Sequence, residues 1–348
     1  MTNDWILQSS ADKEAVEELL NDTKFRVIDE IVSGYFWVKQ LRNSVDRSSS
    51  VSTAVIKRCD HIISFERQKK RKINLRSTGI TMNDPLWNKQ WYLNDVRAIP
   101  SMNIQKAWAK GFTGKGVVIG IVDGGVDVTH PDLSNKVKRS LSYDFIENDN
   151  DPSPAYRESH GTKCAGIVVA ARNNRNCIVG ASFGSTFANL RISDNFGSTP
   201  VTESRALVHK YDEIHIYSNS WGVIEGLGFE QQPPVVENAI SAAVQKGRNG
   251  LGSIFLWASG NGGTNDNCNC DGYAKSINVI SIASVSENQY AGYYSEYCSA
   301  ILASCYSGDD VQYDILTTDI GGSCTNFSGT SASTPLSAAV IALVLEAK

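Results

Sequence analysis

The chain has 348 residues, 41% of them hydrophobic, and a formal net charge of −4, which allows one large core with a smaller domain beside it. The longest apolar run, Ala338 to Leu345, is too short to span a bilayer, and Met1 to Asp12 lack the apolar stretch of a signal peptide. Eight cysteines fit either reduced thiols or two to three disulfides, and Cys268 and Cys270 stand too close for zinc-ribbon spacing.

Charge divides the chain. Residues 1–80 hold 14 Lys/Arg against 11 Asp/Glu, and the remainder holds 19 against 26. A basic segment before an acidic body is what a self-docking segment would look like. Along residues 1–60, the apolar runs Phe25 to Ile28 and Tyr35 to Val38 flank no long helix, and Ala15 to Leu20 forms a helical patch. The pattern predicts a small α+β unit. Arg67 to Lys72 is a basic cluster, legible as a nuclear-localisation patch or, between a small module and a larger body, as a cleavage site.

From Trp87 onward apolar strands alternate with helices. Val117 to Asp123, Ile254 to Ala258 and Val279 to Ala283 read as buried parallel strands, and Glu237 to Lys246 as a helix ending at a left-handed Gly247. This rhythm predicts an α/β fold with a parallel sheet covered on both faces. Gly111 to Gly116 looks like a phosphate-binding glycine loop, but it precedes its strand instead of following it, so nucleotide binding carries little weight.

Three segments carry the chemistry. Asp123 closes a strand and would emerge at the carboxyl edge of the sheet. His160 opens a helix, where the dipole is expected to lower its pKa and keep it a neutral base. Ser331 opens a long apolar helix, with backbone amides beside it and Pro335 in the early turns. Asn261, in a glycine turn directly after a buried strand, offers a second donor to an oxyanion. Each has a plain reading alone, as a turn cap, a surface histidine, a helix cap or a tight turn. Their joint occurrence in the order Asp, His, Ser points to a serine-protease triad.

These residues resemble the kexin/furin branch of the subtilases, the proprotein convertases. The likeness is dense from Asp84 to Lys348, through His130-Pro131-Asp132-Leu133, His215 to Gly222, Gly252 to Gly263, Cys268 to Tyr273 and Gly329 to Pro335. It implies a subtilisin-like α/β catalytic domain over 84–348, a linker over 73–83 and an inhibitory pro-segment over 1–72, with processing at Arg58 and Arg71. Asp123, His160 and Ser331 would form the triad and Asn261 would donate to the oxyanion. Asp271 would sit at the base of an arginine pocket, flanked by Ser220, Trp221 and Gly222, and Glu203 would meet a more distant basic residue. A first calcium site would use Asp84, Asp132 and Asn174 with the carbonyls of Ala171, Asn176 and Ile178, and a second would use Glu225, Asp266 and Glu296. Cys177 would pair with Cys324 and Cys268 with Cys298, leaving Cys164 free behind the histidine.

The resemblance further implies Ca2+ as cofactor and a secretory-pathway location. Its substrates would be precursor proteins with basic cleavage sites, with the pro-segment as bound inhibitor and no nucleic-acid partner. Three departures stand out. Gly124 replaces a second aspartate that family members carry after the catalytic one, and Arg157 stands where they have an acid; this predicts weaker selection for paired basic residues. The chain stops at Lys348, before the β-rich domain that follows in the family, so a C-terminally incomplete catalytic domain is expected. Asn326-Phe327-Ser328 is a glycosylation sequon close to Ser331 and is expected to stay unused, Asn21 being the better acceptor. The rival reading is an inactive convertase that sequesters basic peptides.

Overall fold

The computed structural model describes residues 4–41, 56, 59–68, 80–94, 100–194, 197–226, 229–309 and 314–348. Arg58, Arg71 and the neighbouring Lys72 lie outside them. The chain divides into two compact units, Met1–Arg76 and Ser77–Lys348.

The first unit is a four-stranded antiparallel sheet in the order β2-β3-β1-β4, built from β1 (Asp4–Ser9), β2 (Phe25–Val32), β3 (Tyr35–Gln40) and β4 (Ile62–Arg67). Helix α1 (Lys13–Leu20) is started by Asp12, whose carboxylate accepts from the Ala15 N–H at 2.9 Å. Val16 and Leu20, one turn apart, face Leu7, Phe25, Phe36, Val38, Ile56 and Phe65. Trp5 stacks on Phe65 and meets Phe25 edge-on.

The second unit holds a seven-stranded sheet in the order β11-β10-β9-β8-β5-β7-β6, parallel throughout. Its strands are β5 (Val118–Asp123), β6 (Tyr143–Asp144), β7 (Thr186–Arg191), β8 (Ile216–Asn219), β9 (Ile254–Ala258), β10 (Ile280–Val285) and β11 (Ile301–Tyr306). A hairpin of β12 (Ile315–Thr318) and β13 (Cys324–Phe327) lies outside it. β5 is buried at every position, as a strand covered on both faces must be. One core holds Ile119, Ile121, Trp91, Val168 and Leu336, and the other holds Val118, Val122, Leu190, Tyr217 and Trp257. The alternation along β5 thus feeds two cores.

The helices of this unit are α2 (Ile104–Ala109), α3 (His160–Val169), α4 (Pro200–Leu207), α5 (Pro234–Gly250) and α6 (Thr330–Ala347). α5 breaks at Gly247 as expected, but Gly247 is not the left-handed residue: its φ is −60°, and Arg248 and Asn249 take φ of 53° and 56°. Packing explains the glycine, because a Cβ there would lie 2.1 Å from Ser253 Oγ. α6 has 18 residues and a mean hydropathy of 1.4, long and apolar enough to cross a bilayer, unlike the run Ala338–Leu345 inside it. Here it is core: Ala332, Leu336, Ala338, Ala339, Ala342 and Leu343 are buried. Strand order reverses around β5, with β7 on one side and β8 on the other. The carboxyl edge at such a point is where a parallel sheet opens a crevice.

Candidate active site

Asp123 is the last residue of β5 and is 5% exposed. Both its oxygens lie 2.9 Å from His160 Nδ1, and Oδ1 also accepts from the Gly124 N–H at 2.8 Å. With Nδ1 donating, Nε2 is the acceptor of the neutral ring. The histidine is the first residue of α3, and its side chain remains 35% exposed. The expected lowering of its pKa is overturned. Burial does pull it down, but the Asp123 carboxylate, through charge and hydrogen bond, lifts it well above the ordinary histidine value. The carboxylate at hydrogen-bond distance outweighs the helix dipole. Phe327 closes one side of the ring, edge-on at 5.4 Å.

Ser331 is the second residue of α6 and 9% exposed. Its hydroxyl donates to the Ser220 carbonyl, and its own carbonyl accepts from the Ser220 hydroxyl, each at 3.2 Å. That carbonyl is free because Pro335, four residues on, has no N–H to give it. Cys164 Sγ lies 3.7 Å from the Ser331 carbonyl oxygen and 3.9 Å from His160 Nδ1, so the serine and the histidine share one neighbour. Burial pushes that thiol's pKa up, which keeps it neutral.

Asn261 follows β9. Its Oδ1 accepts from the Thr330 N–H at 2.8 Å and the Thr330 hydroxyl at 3.0 Å, which fixes the amide with its nitrogen as the remaining donor. Gly329, the helix cap with φ +80°, lets this approach happen, because a Cβ would come within 3.2 Å of Asn261 Oδ1.

Asp271 is 9% exposed, with Oδ1 accepting from the N–H groups of Tyr273 and Ala274 at 2.6 and 3.1 Å. A Cβ on Gly222 would stand 3.1 Å from Oδ2, so the glycine keeps that oxygen clear. Burial raises the carboxyl's pKa more than the two amides lower it, and Glu225 and Glu230 raise it further. A cation would relieve all of these. Trp221 lies edge-on to Trp257 and Tyr273 at 4.5 and 5.2 Å, walling this region. Glu203 is placed differently from a residue reaching out to a ligand: it is 5% exposed, and its oxygens accept from Ser198 and from the Tyr273 hydroxyl.

Two oxygen-rich groups could hold a hard cation. Asp84 and Asp132 are 4% and 0% exposed, and burial above all, with the charge of Asp84 beside it, raises the proton affinity of Asp132. Asp84 takes the N–H groups of Asn173 and Asn174, and Asp132 takes the Asn174 side-chain amide at 2.7 Å. Asn174 therefore presents nitrogen to the acids, and a ligand role requires the amide to turn over. Ala171 and Ile178 line the same turn through their N–H bonds to Asp132, and the Asn176 N–H bonds Asn174 Oδ1. The Cys177–Cys324 disulfide ties this loop to β13.

In the second group, Glu225, Asp266 and Glu296 bring carboxylate oxygens within 4.8 Å of one another. Burial, then Glu225 beside it, pushes the Glu296 carboxyl up to about 8. The oxyanion loop rests on this trio: the N–H of Asn261 donates to Glu225 at 2.7 Å and that of Gly262 to Glu296 at 3.0 Å. Cys268–Cys298 is the second disulfide, and Cys59, Cys164, Cys270 and Cys305 are in none.

The sequence did not announce several contacts. The Gly111–Gly116 loop does bind an anion, but its own chain supplies it: the N–H groups of Thr113 and Gly114 donate to the Glu346 carboxylate. That occupant removes the nucleotide reading. Also unannounced were the mutual Ser220–Ser331 bonds and the side chain of Glu158 beside Gly124.

A parallel α/β sheet with an aspartate–histidine pair, a serine-bearing helix and a glycine-rich donor loop at one edge is the layout of a subtilisin-like protein. The chain belongs to the Subtilase family, whose defining pattern matches residues 114–348. It is similar to neuroendocrine convertase 2 of Caenorhabditis elegans, 44% identical over 284 residues, covering 78% of this chain and 44% of that protein. It is also 42% identical over 294 residues to human proprotein convertase subtilisin/kexin type 6, covering 81% of this chain and 30% of that one. The chain thus spans less than half the length of these relatives. A solved serine protease of Aeromonas sobria shares the fold, with TM-score 0.68 and 20% identity over 80% of this chain and 58% of that one.

Proposed function

We propose that this chain is a calcium-dependent serine endopeptidase that cuts precursor proteins after arginine in basic motifs. Ser331 Oγ leaves its bond to Ser220 and attacks the scissile carbonyl carbon. His160 Nε2 takes the hydroxyl proton and delivers it to the leaving amine, while Asp123 holds Nδ1 and stabilises the imidazolium. The Ser331 N–H and Asn261 Nδ2 receive the oxyanion. Water then releases the acyl group by the same proton relay. The doubly contacted Asp123–His160 pair, beside the serine helix, carries this reading.

Asp271 selects arginine, because a buried carboxylate with an open oxygen rewards a guanidinium and penalises neutral side chains. Glu203 supports that pocket through Tyr273. Residues 84, 132, 171, 174, 176 and 178 form one calcium site and 225, 266 and 296 the other; a bound cation supplies the charge neutralisation these acids lack. Residues 1–72 serve as the inhibitory pro-segment of a zymogen processed at Arg71, with an internal cut at Arg58. Two disulfides support an oxidising, secretory-pathway setting.

The competing reading, a non-catalytic sequestering protein, draws on the Ser331 hydroxyl pointing to Ser220. Labelling with a fluorophosphonate probe, with calcium and with chelator, separates the two. Calcium-dependent labelling that disappears in Ser331→Ala supports the endopeptidase, and no labelling in calcium sinks it.

A further inference from the structure

The β12–β13 hairpin stands outside the large sheet, and its fastenings run along its length. On β12, the hydroxyls of Thr317 and Thr318 donate to the Lys163 and Thr162 carbonyls of α3 at 2.6 and 2.8 Å. Gly166 allows that approach, because a Cβ there would lie 2.2 Å from Thr318 Oγ1. Toward the tip, the Gly321 N–H donates to Asp127 at 2.9 Å, and His130 Nε2 donates to the Ser323 carbonyl at 3.0 Å. Cys324, which opens β13, is bound to Cys177. Phe327 ends β13 opposite Ile315, so a clamped arm delivers its ring. That ring is half-buried at the margin of the larger core, and it meets the His160 imidazole at 5.4 Å and an interplanar angle of 81°. Lys163, one turn along α3, holds its ammonium over the same ring at 5.8 Å.

Other restraints on the imidazole are few. Asp123 pins it at one atom, Nδ1, and a ring pinned at one atom can still swing about that bond. The Ser331 hydroxyl gives its proton to the Ser220 carbonyl, so that proton does not hold the opposite nitrogen. His160 is the first residue of its helix, with a side chain 35% exposed, so the preceding turn does not pack it in place. We infer that Phe327 is a positioning residue, whose ring walls the His160 imidazole and holds it in the orientation that the proton relay uses. The inference rests on the endopeptidase reading above. Edge-on packing between rings restrains an angle as well as a distance. Phe327 also stands four positions before Ser331, so one passage from strand to helix places both the wall and the nucleophile.

The test uses the full chain in calcium, with kcat and KM measured separately on one arginine peptide. Phe327→Ala should lower kcat by about 10²-fold, the scale of a misaligned reacting group, and leave KM unchanged. Phe327→Tyr, which keeps the ring, should restore most of the lost rate. If the Ala chain does not fold, Phe327→Leu keeps apolar bulk without the ring and has to show the same split in smaller measure. A second readout needs no turnover: the proton shared by His160 Nδ1 and Asp123 is followed by NMR and assigned by its absence from His160→Gln. It should be seen in the parent and in Phe327→Tyr, and be lost to exchange with water in Phe327→Ala. A lower melting temperature with kcat intact would make Phe327 ordinary core and overturn the inference. A raised KM with kcat intact would make it a substrate contact and overturn it equally, as would a shared proton that persists in Phe327→Ala. A parent that neither cleaves the peptide nor takes a fluorophosphonate label would count against the endopeptidase reading, and the shared proton would still decide the role of Phe327.

Discussion

Glu296 offers the sharpest test of the second cation site, because the structure predicts opposite effects of one substitution with and without calcium. Its carboxyl is 4% exposed and sits within 4.8 Å of the acids of Glu225 and Asp266. Burial and Glu225 raise its pKa from 4.5 to about 8. A carboxyl that holds its proton more tightly in the fold than in the unfolded chain stabilises the fold fully below pH 4.5. That contribution is lost as pH rises through 8. At pH 8 without metal the loss is on the order of 4 kcal/mol, an upper bound because exposed Glu225 is screened by solvent. Glu296→Gln removes the ionisation, so in chelator at pH 8 the variant should melt above the parent, by up to roughly 10 °C for a domain of this size. At pH 5 the parent is protonated and the two should coincide. In millimolar calcium the order should invert, because the variant has lost a ligand oxygen's charge. Scanning calorimetry at both pH values, with calcium and with chelator, reads all four conditions. A variant that melts no higher than the parent in chelator at pH 8 would refute the electrostatic reasoning.

Other outcomes follow from the same geometry. Because Asp123 holds the His160 pKa up, the acid limb of kcat/KM should lie above the ordinary histidine range; Asp123→Asn should shift it to lower pH and cut kcat by about 10⁴, as a pH–rate series will show. Asn261→Ala removes a donor to the oxyanion and should lower kcat by about 10²–10³ with little change in KM, measured on one arginine peptide. Breaking Cys177–Cys324, which closes a separation of 147 residues, by Cys324→Ser should cost about 2–5 kcal/mol in denaturant unfolding. Peptide mass spectrometry should find Asn326 unglycosylated: although exposed, it is followed directly by Phe327, whose ring packs on His160.

What could be read from the string, and what could not, follows the range of the interactions. Asp123 was visible because a strand that is buried on both faces must be apolar to its end, so a terminal carboxylate breaks the pattern. Ser331 and Asn261 were visible for a similar reason, each sitting at the junction of an apolar element and a glycine. The resemblance carried the disulfides, which spacing alone could not assign. The direction of the His160 pKa does not follow from local sequence, because only the helix start is local; the acid that sets it arrives from 37 residues away. Glu158 was hidden for the same cause, since nothing in Arg157-Glu158-Ser159 says that its side chain will lie over a glycine 34 positions earlier. Gly124 leaves a vacancy at a packed edge, and a neighbour far along the chain fills it.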